Sequence, residues 1–179
     1  MARLLHRRPI SLIISVSEVF IPGYHLRQGS RLDRALLLKF AYRTYKEQFP
    51  DQDLSHLALT VEQYFSPQTP LWWVDKFNPD SYPPEPIACL WLGNAIDLAD
   101  GERTAHVFLL YVAPEHRKRG IGSALMAHVQ QWAIGRGDRK ISLQVFTNNQ
   151  PALNLYQKLG YQPQSLSMQK ILYREVELP

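Results

Sequence analysis

The chain has 179 residues, 45% of them apolar, and a formal net charge of +4. That length buries a core in one domain without disulfide or metal staples, and the ordinary apolar content excludes a disordered or fibrous chain. The positive charge is scattered apart from Arg7-Arg8 and residues 117–119, so it offers no basic stripe of the kind that tracks a nucleic acid.

At the N-terminus, Arg3, Arg7 and Arg8 precede an apolar run at 10–16 that faintly resembles a secretory signal. Glu18 interrupts the stretch beyond that run, no small-x-small cleavage site is present, and the run is too short to span a bilayer. Residues 1–22 are therefore read as an N-terminal extension and residues 23–179 as a single domain. No other segment approaches transmembrane length, which predicts a soluble protein without a membrane partner. Residues 24–28 read as a first strand, ended by Gly29. Ser30 with Asp33 three residues on marks a helix start. Leu36, Leu37, Phe40, Ala41 and Thr44 give that helix an apolar face, and Pro50 ends it. Leu57, Val61, Tyr64 and Phe65 suggest a second helix, stopped by Pro67.

Strands are expected near 70–77 and 86–93, separated by a segment with four prolines between Asn78 and Pro86. In the first of these strands Trp72 and Trp73 face opposite sides, so at least one belongs to the core. Cys89, the single cysteine, lies in the second. It permits no intramolecular disulfide, reads as a buried thiol, and fits a reducing, cytoplasmic compartment. Asp100-Gly101 signals a hairpin into a strand at 104–112. Leu125, Val129 and Trp132 give the next helix its inward face. A strand at 141–146 and a helix ending near Gly160 come next. Residues 165–177 alternate irregularly and are expected to close the sheet as strands.

Where the 104–112 strand hands over to the next helix stands Arg117-Lys118-Arg119-Gly120-Ile121-Gly122. The first turn of a helix presents amide N–H groups without intrahelical partners and the positive end of the helix dipole. Glycine allows close approach and unusual dihedrals. Together these make a phosphate or pyrophosphate site. The spacing is not that of a P-loop, and Leu125 stands where a dinucleotide fingerprint has its third glycine. The pattern is Arg-x-x-Gly-x-Gly, preceded by Val112-Ala113-Pro114-Glu115-His116, and it resembles the acetyl-CoA motif of the GCN5-related N-acetyltransferases (GNAT). A second stretch, from Asn149 through Ala152 and Tyr156 to Leu159-Gly160-Tyr161, is similar to that family's other signature. Asn149, Pro151 and Gly160 are equally a helix cap, first turn and C-terminal cap. Tyr156 is equally a core tyrosine beside Leu155 and Leu159. The resemblance covers roughly residues 105–162 by motif, and 24–104 in layout only.

The resemblance implies an α+β fold: a central mixed, mostly antiparallel, splayed sheet with helices on both faces. It implies direct transfer of an acetyl group from acetyl-CoA, as co-substrate, to a primary amine on a small molecule or a peptide. No metal is implied. Leu110, Tyr111 and Val112 would hold the pantetheine through backbone, with Asn149 beside it. The backbone of Arg117, Lys118, Arg119, Gly120, Ile121, Gly122 and Ser123 would hold the pyrophosphate. Tyr156 would be the donor at the thioester sulfur. The base stays open between Asp97, Glu102, His106 and water, the acceptor is not specified, and a homodimer is compatible. A non-catalytic acyl-CoA-binding module is the alternative reading.

Overall fold

The computed structural model describes residues 20–77, 84 and 86–172. In chain order these form β1 (Tyr24–Gln28), a 3-10 turn (Arg31–Asp33), α1 (Arg34–Gln48), α2 (His56–Tyr64), β2 (Leu71–Lys76), β3 (Pro86–Ile96), β4 (Arg103–Val112), a second 3-10 turn (Pro114–His116), α3 (Ile121–Arg136), β5 (Ile141–Leu143) and α4 (Gln150–Lys158). The expected capping box forms: Ser30 accepts from Leu32 N, and Ser30 N donates to Asp33. The sheet runs β1-β2-β3-β4-β5, antiparallel up to β4, with β5 parallel to β4. Among the described residues, no helix is long and apolar enough to cross a membrane.

The two tryptophans of β2 place a helix on each face. Trp73 meets Phe40 of α1 edge-on at 5.0 Å, and Phe40 also meets Tyr111 of β4 at 5.4 Å. Trp72 turns the other way, onto His128 and Trp132 of α3 at 5.0 and 5.8 Å. Phe40, Trp73, Leu37, Leu90 and Leu92 are fully buried, each stabilising the fold by roughly 1.5–3 kcal/mol relative to exposure. Cys89 is buried as expected, and burial pushes its thiol pKa far up, so it stays a protonated core group.

Two features of β4 position the site. The first is a bulge: Leu90 pairs with Leu110 and Trp91 with Leu109, but Leu92 pairs with Val107. Phe108 is the extra residue, and one extra residue reverses which face the neighbouring side chains take. Gly93 makes this arrangement fit, since a Cβ there would lie 2.0 Å from the Phe108 ring. The second is the short length of β5. Its ladder with β4 covers only Ala105, His106 and Val107, opposite Ile141, Ser142 and Leu143. The strand expected at 141–146 thus stops at 143, and β4 continues to Val112 with no partner on that side among the described residues.

The expectation of strands over 165–177 is corrected for its described part. Residues 161–172 form no strand, and Leu166, Met168, Ile171 and Leu172 are exposed. Their alternation mimics a half-buried strand, yet the segment pairs with no described strand. Residues 173–177, and residues 1–19 of the N-terminal extension, lie outside the described residues; Ile21 bridges to Tyr24.

Candidate active site

In an antiparallel ladder, successive residues direct their backbone groups to alternate neighbours. Ala113 N donates to Ile87 O at 2.8 Å. Ala113, Tyr111 and Leu109 therefore face β3, while Leu110 and Val112 present their N–H and C=O groups to the open edge. Of the three strand residues expected to line the cleft, Leu110 and Val112 offer backbone to it. Tyr111 instead lies over the core, with its backbone directed at β3.

The turn after β4 has an unusual surplus of donors. Arg117 N bonds Pro114 O, and Ala124 N bonds Gly120 O. Between them, the N–H groups of Lys118, Arg119, Gly120, Ile121, Gly122 and Ser123 find no acceptor among the described residues. Lys118 has φ 59° and Gly120 φ 83°, both left-handed, so successive amides fold into a concave nest ahead of α3. Gly120 supplies a conformation that side chains resist. Gly122 serves packing as well: a Cβ there would lie 3.2 Å from Leu155 Cδ2 of α4.

Two of the three cations in this turn are engaged in building it. Arg117 Nε donates to Val112 O at 2.9 Å, and its Nη2 reaches both oxygens of Glu47 on α1 at 2.9 and 2.6 Å. Its guanidinium also lies over the Tyr111 ring. Arg119 donates to Glu115 O and to the Tyr24 hydroxyl, which bonds His116 Nδ1 at 2.9 Å. This Tyr24–His116–Arg119 link, tying β1 to the turn, has no signal in local sequence because Tyr24 lies more than ninety residues from the other two. Lys118 makes no ion pair among the described residues.

Asn149 caps α4, its side-chain oxygen accepting from Ala152 N at 3.3 Å. Its φ, ψ of −84°, 68° are not helical, so the seven-residue spacing to Tyr156 does not by itself put both on one helix face. Tyr156 packs against the core with its ring 5.7 Å from Tyr161. Burial, with Tyr161 alongside, pushes its phenol pKa up to about 12. The hydroxyl has no hydrogen-bond partner among the described residues, so it is a protonated and free donor. Gly160, at φ 86°, closes the helix as expected.

Among the candidate bases, Asp97 and Glu102 sit at the hairpin tip at the far end of β4. Lys140 holds Asp97 at 2.6 Å and Arg139 holds Glu102 at 2.8 Å, and the Lys140 hydrogen bond draws the Asp97 carboxyl pKa below its usual value. His106 differs. It lines a pocket of about 230 Å³ between α1, α2 and the β3–β4 ladder, at the point where β5 leaves β4. Burial lowers its imidazole pKa. A larger concavity of about 690 Å³ lies under the C-terminal half of α1, beside Arg43, Lys46, Lys76 and His116. Tyr111, with its backbone turned to β3, borders it; His106 lines only the smaller pocket, and neither Leu110 nor Tyr156 lines either one.

The model of the Acetyltransferase (GNAT) family matches residues 38–161. The chain belongs to this family. An acetyltransferase of Sodalis glossinidius is 34% identical over 87 residues, 49% of this chain and 61% of the relative, so the match spans somewhat under two thirds of that relative's length. A candidate acetyl transferase from Pyrococcus furiosus has a TM-score of 0.65 at 26% identity, covering 83% of this chain and 99% of the other. A predicted acetyltransferase from Clostridium acetobutylicum, solved with acetyl-CoA, shares the GNAT fold at 17% identity and a TM-score of 0.66, covering 83% and 96%. The splayed sheet with helices on both faces is thus the GNAT architecture.

Proposed function

We propose that this GNAT-family chain transfers the acetyl group of acetyl-CoA directly to a primary amine. The observation that carries the reading is the junction, among the described residues, of an unpaired strand edge with six consecutive free amides at a helix start. A pyrophosphate needs several converging donors and positive potential, and the 118–123 nest with Lys118 provides both. An amide-bearing arm needs alternating donors and acceptors along an extended edge, which the N–H and C=O of Leu110 and the N–H of Val112 supply, the Val112 carbonyl being held by Arg117. Arg117 holds the end of β4, α1 and the nest in register, and Asn149 keeps its amide nitrogen for the arm.

When bound, acetyl-CoA supplies an activated acyl group with a thiol leaving group. Leu110 N–H, at the open edge, would stabilise charge on the acyl oxygen. Tyr156, protonated and without a hydrogen-bond partner among the described residues, would donate to the departing sulfur. That free donor favours an enzyme over a binding-only module, which has no use for a proton at sulfur.

The test is a calorimetric titration with acetyl-CoA together with a CoA-release assay over polyamines, amino acids, aminoglycosides and peptides. Binding with amine-dependent release of CoA is expected. A folded protein that binds no acetyl-CoA contradicts the reading.

A further inference from the structure

The pocket at the end of the β4–β5 ladder reaches Phe108 and Leu109, next to Leu110 of the open edge, and includes none of the amide nest. Its walls are mostly aliphatic (Leu57 and Val61) and aromatic (Tyr45, Tyr64, Trp91 and Phe108), with Thr60 and Gln144 as neutral polar groups beside His106, and no carboxylate or cation lines it among the described residues. A ring the size of benzene fills a cavity of about 150 Å³, so about 230 Å³ holds one ring with a short chain. A polyamine or aminoglycoside would bring further ammonium groups to a wall with no counter-charge, and each would be desolvated without compensation.

One lining group, His106, is an imidazole whose tautomer is set by its neighbours. Thr104 donates its hydroxyl to Ala105 O at 3.0 Å, so toward Ser142 Oγ, 3.0 Å away, it accepts. Ser142 thereby spends its proton on Thr104 and accepts from His106 Nδ1 at 2.9 Å. His106 thus carries its proton on Nδ1 and keeps the Nε2 lone pair, which meets no partner among the described residues. The other titratable groups facing it are the phenols of Tyr45 on α1 and Tyr64 on α2.

We propose that the acceptor is a primary amine on a single apolar or aromatic body, that it enters this pocket, and that His106 Nε2 takes the proton from its ammonium. The proposal rests on the acetyl-transfer reading above. The nitrogen loses two protons in all. One passes to His106 and on to solvent. The freed lone pair forms the C–N bond as the C–S bond breaks. Tyr156 gives a proton to the sulfur and is restored by the second proton from nitrogen. The products are the N-acetyl amine, the free thiol of CoA and one proton. Burial lowers the His106 pKa, which keeps the base form present at neutral pH.

The test uses the full chain with 2-phenylethylamine, n-hexylamine, spermidine and kanamycin as acceptors, read by CoA release, and acetyl-CoA affinity read separately by calorimetry. The kcat/KM for 2-phenylethylamine should exceed those for spermidine and kanamycin at least tenfold. His106→Gln should lower kcat about 100-fold or more at pH 7 with acetyl-CoA affinity unchanged. Its deficit should shrink toward pH 10, where the amine sheds its proton unaided; a packing defect would persist at all pH. Ser142→Ala, which removes the positioning contact alone, should show a smaller deficit with the same pH trend, and serves if His106→Gln does not fold. Preference for spermidine or kanamycin, no turnover of either apolar amine by a protein that binds acetyl-CoA, or a deficit constant with pH would overturn the proposal. Failure of the wild type to bind acetyl-CoA would remove the reading beneath it, and the proposal with it.

Discussion

Strand β4 ends in two charged turns of opposite character. At one end, the 97–102 hairpin satisfies itself: Gly101 N bonds Asp97 O, Asp97 N bonds Glu102 O, and the Asp97 and Asp100 side chains cap Ala99 N and Glu102 N. Its carboxylates meet Lys140 and Arg139. At the other end, the nest at 118–123 leaves six amides without acceptors among the described residues. Both turns carry several charges and a glycine of positive φ. Charge density does not separate them; the surplus of unsatisfied donors does, because buried or convergent donors are otherwise paired.

A matched pair of substitutions separates the two turns most sharply. Gly120→Asp and Gly101→Asp each force a side chain onto a positive φ with open space around the new Cβ, so their backbone strain is similar, about 1 kcal/mol. Only Gly120→Asp puts a carboxylate against the nest. It should weaken acetyl-CoA binding by 100-fold or more in calorimetry, whereas Gly101→Asp should leave affinity unchanged. Gly122→Asp is the less clean probe, because its side chain also presses on Leu155.

Next in size is Tyr156→Phe, which keeps packing and removes the free hydroxyl. It should lower kcat about 10- to 1000-fold, the lower part of the range for proton-transfer groups and below, with acetyl-CoA affinity little changed. Full turnover under chemistry-limited conditions would make Tyr156 a packing residue. Arg117→Ala should weaken acetyl-CoA binding by about fivefold to tenfold through loss of order in the nest, since its guanidinium holds Val112 O and Glu47. Arg117→Lys should not rescue it, because an ammonium cannot span both partners in the planar geometry of the fork.

At the saturated end, Asp138 has a fully buried side chain and accepts from Arg103 and Arg136 at 3.0 and 2.6 Å. Asp138→Ala should cost about 2 kcal/mol, the range for hydrogen bonds to charged groups, read as a lower unfolding midpoint with acetyl-CoA affinity retained. The smallest effect is in pH. Burial lowers the His106 and His128 pKa values, so the folded chain binds fewer protons there than the unfolded chain. Their contribution is fully present above the ordinary imidazole range, near 6.5, and is lost as pH falls below it. His128→Phe should flatten part of that acid decline in unfolding measurements.

What could be read ahead of the structure was what residue type alone dictates. Gly120 and Gly160 occupy left-handed φ, Asn149 and Ser30 cap as their side chains allow, and Trp72 and Trp73 divide between the faces of β2. The bulge at Phe108 was not legible, because 104–112 is apolar on both faces and carries no alternation to break. Gly93 in the middle of β3 was the one available signal, as glycine inside a strand often marks a bulge or a close approach. Without the bulge, the face taken by His106 relative to Tyr111 could not be told. The cations of the nest misled in another way: Arg117 and Arg119 look like phosphate ligands, yet their side chains are held by Glu47, Val112, Glu115 and Tyr24. The exposed alternation after Gly160 shows the converse, a strand pattern that pairs with no described strand.

Amide hydrogen exchange with and without saturating acetyl-CoA tests the central claim most directly. The account predicts slowed exchange at residues 118–123 and at Leu110 and Val112, and no change across the 97–102 hairpin. Acetyl-CoA binding that leaves residues 118–123 unprotected, or protects the hairpin instead, would contradict it.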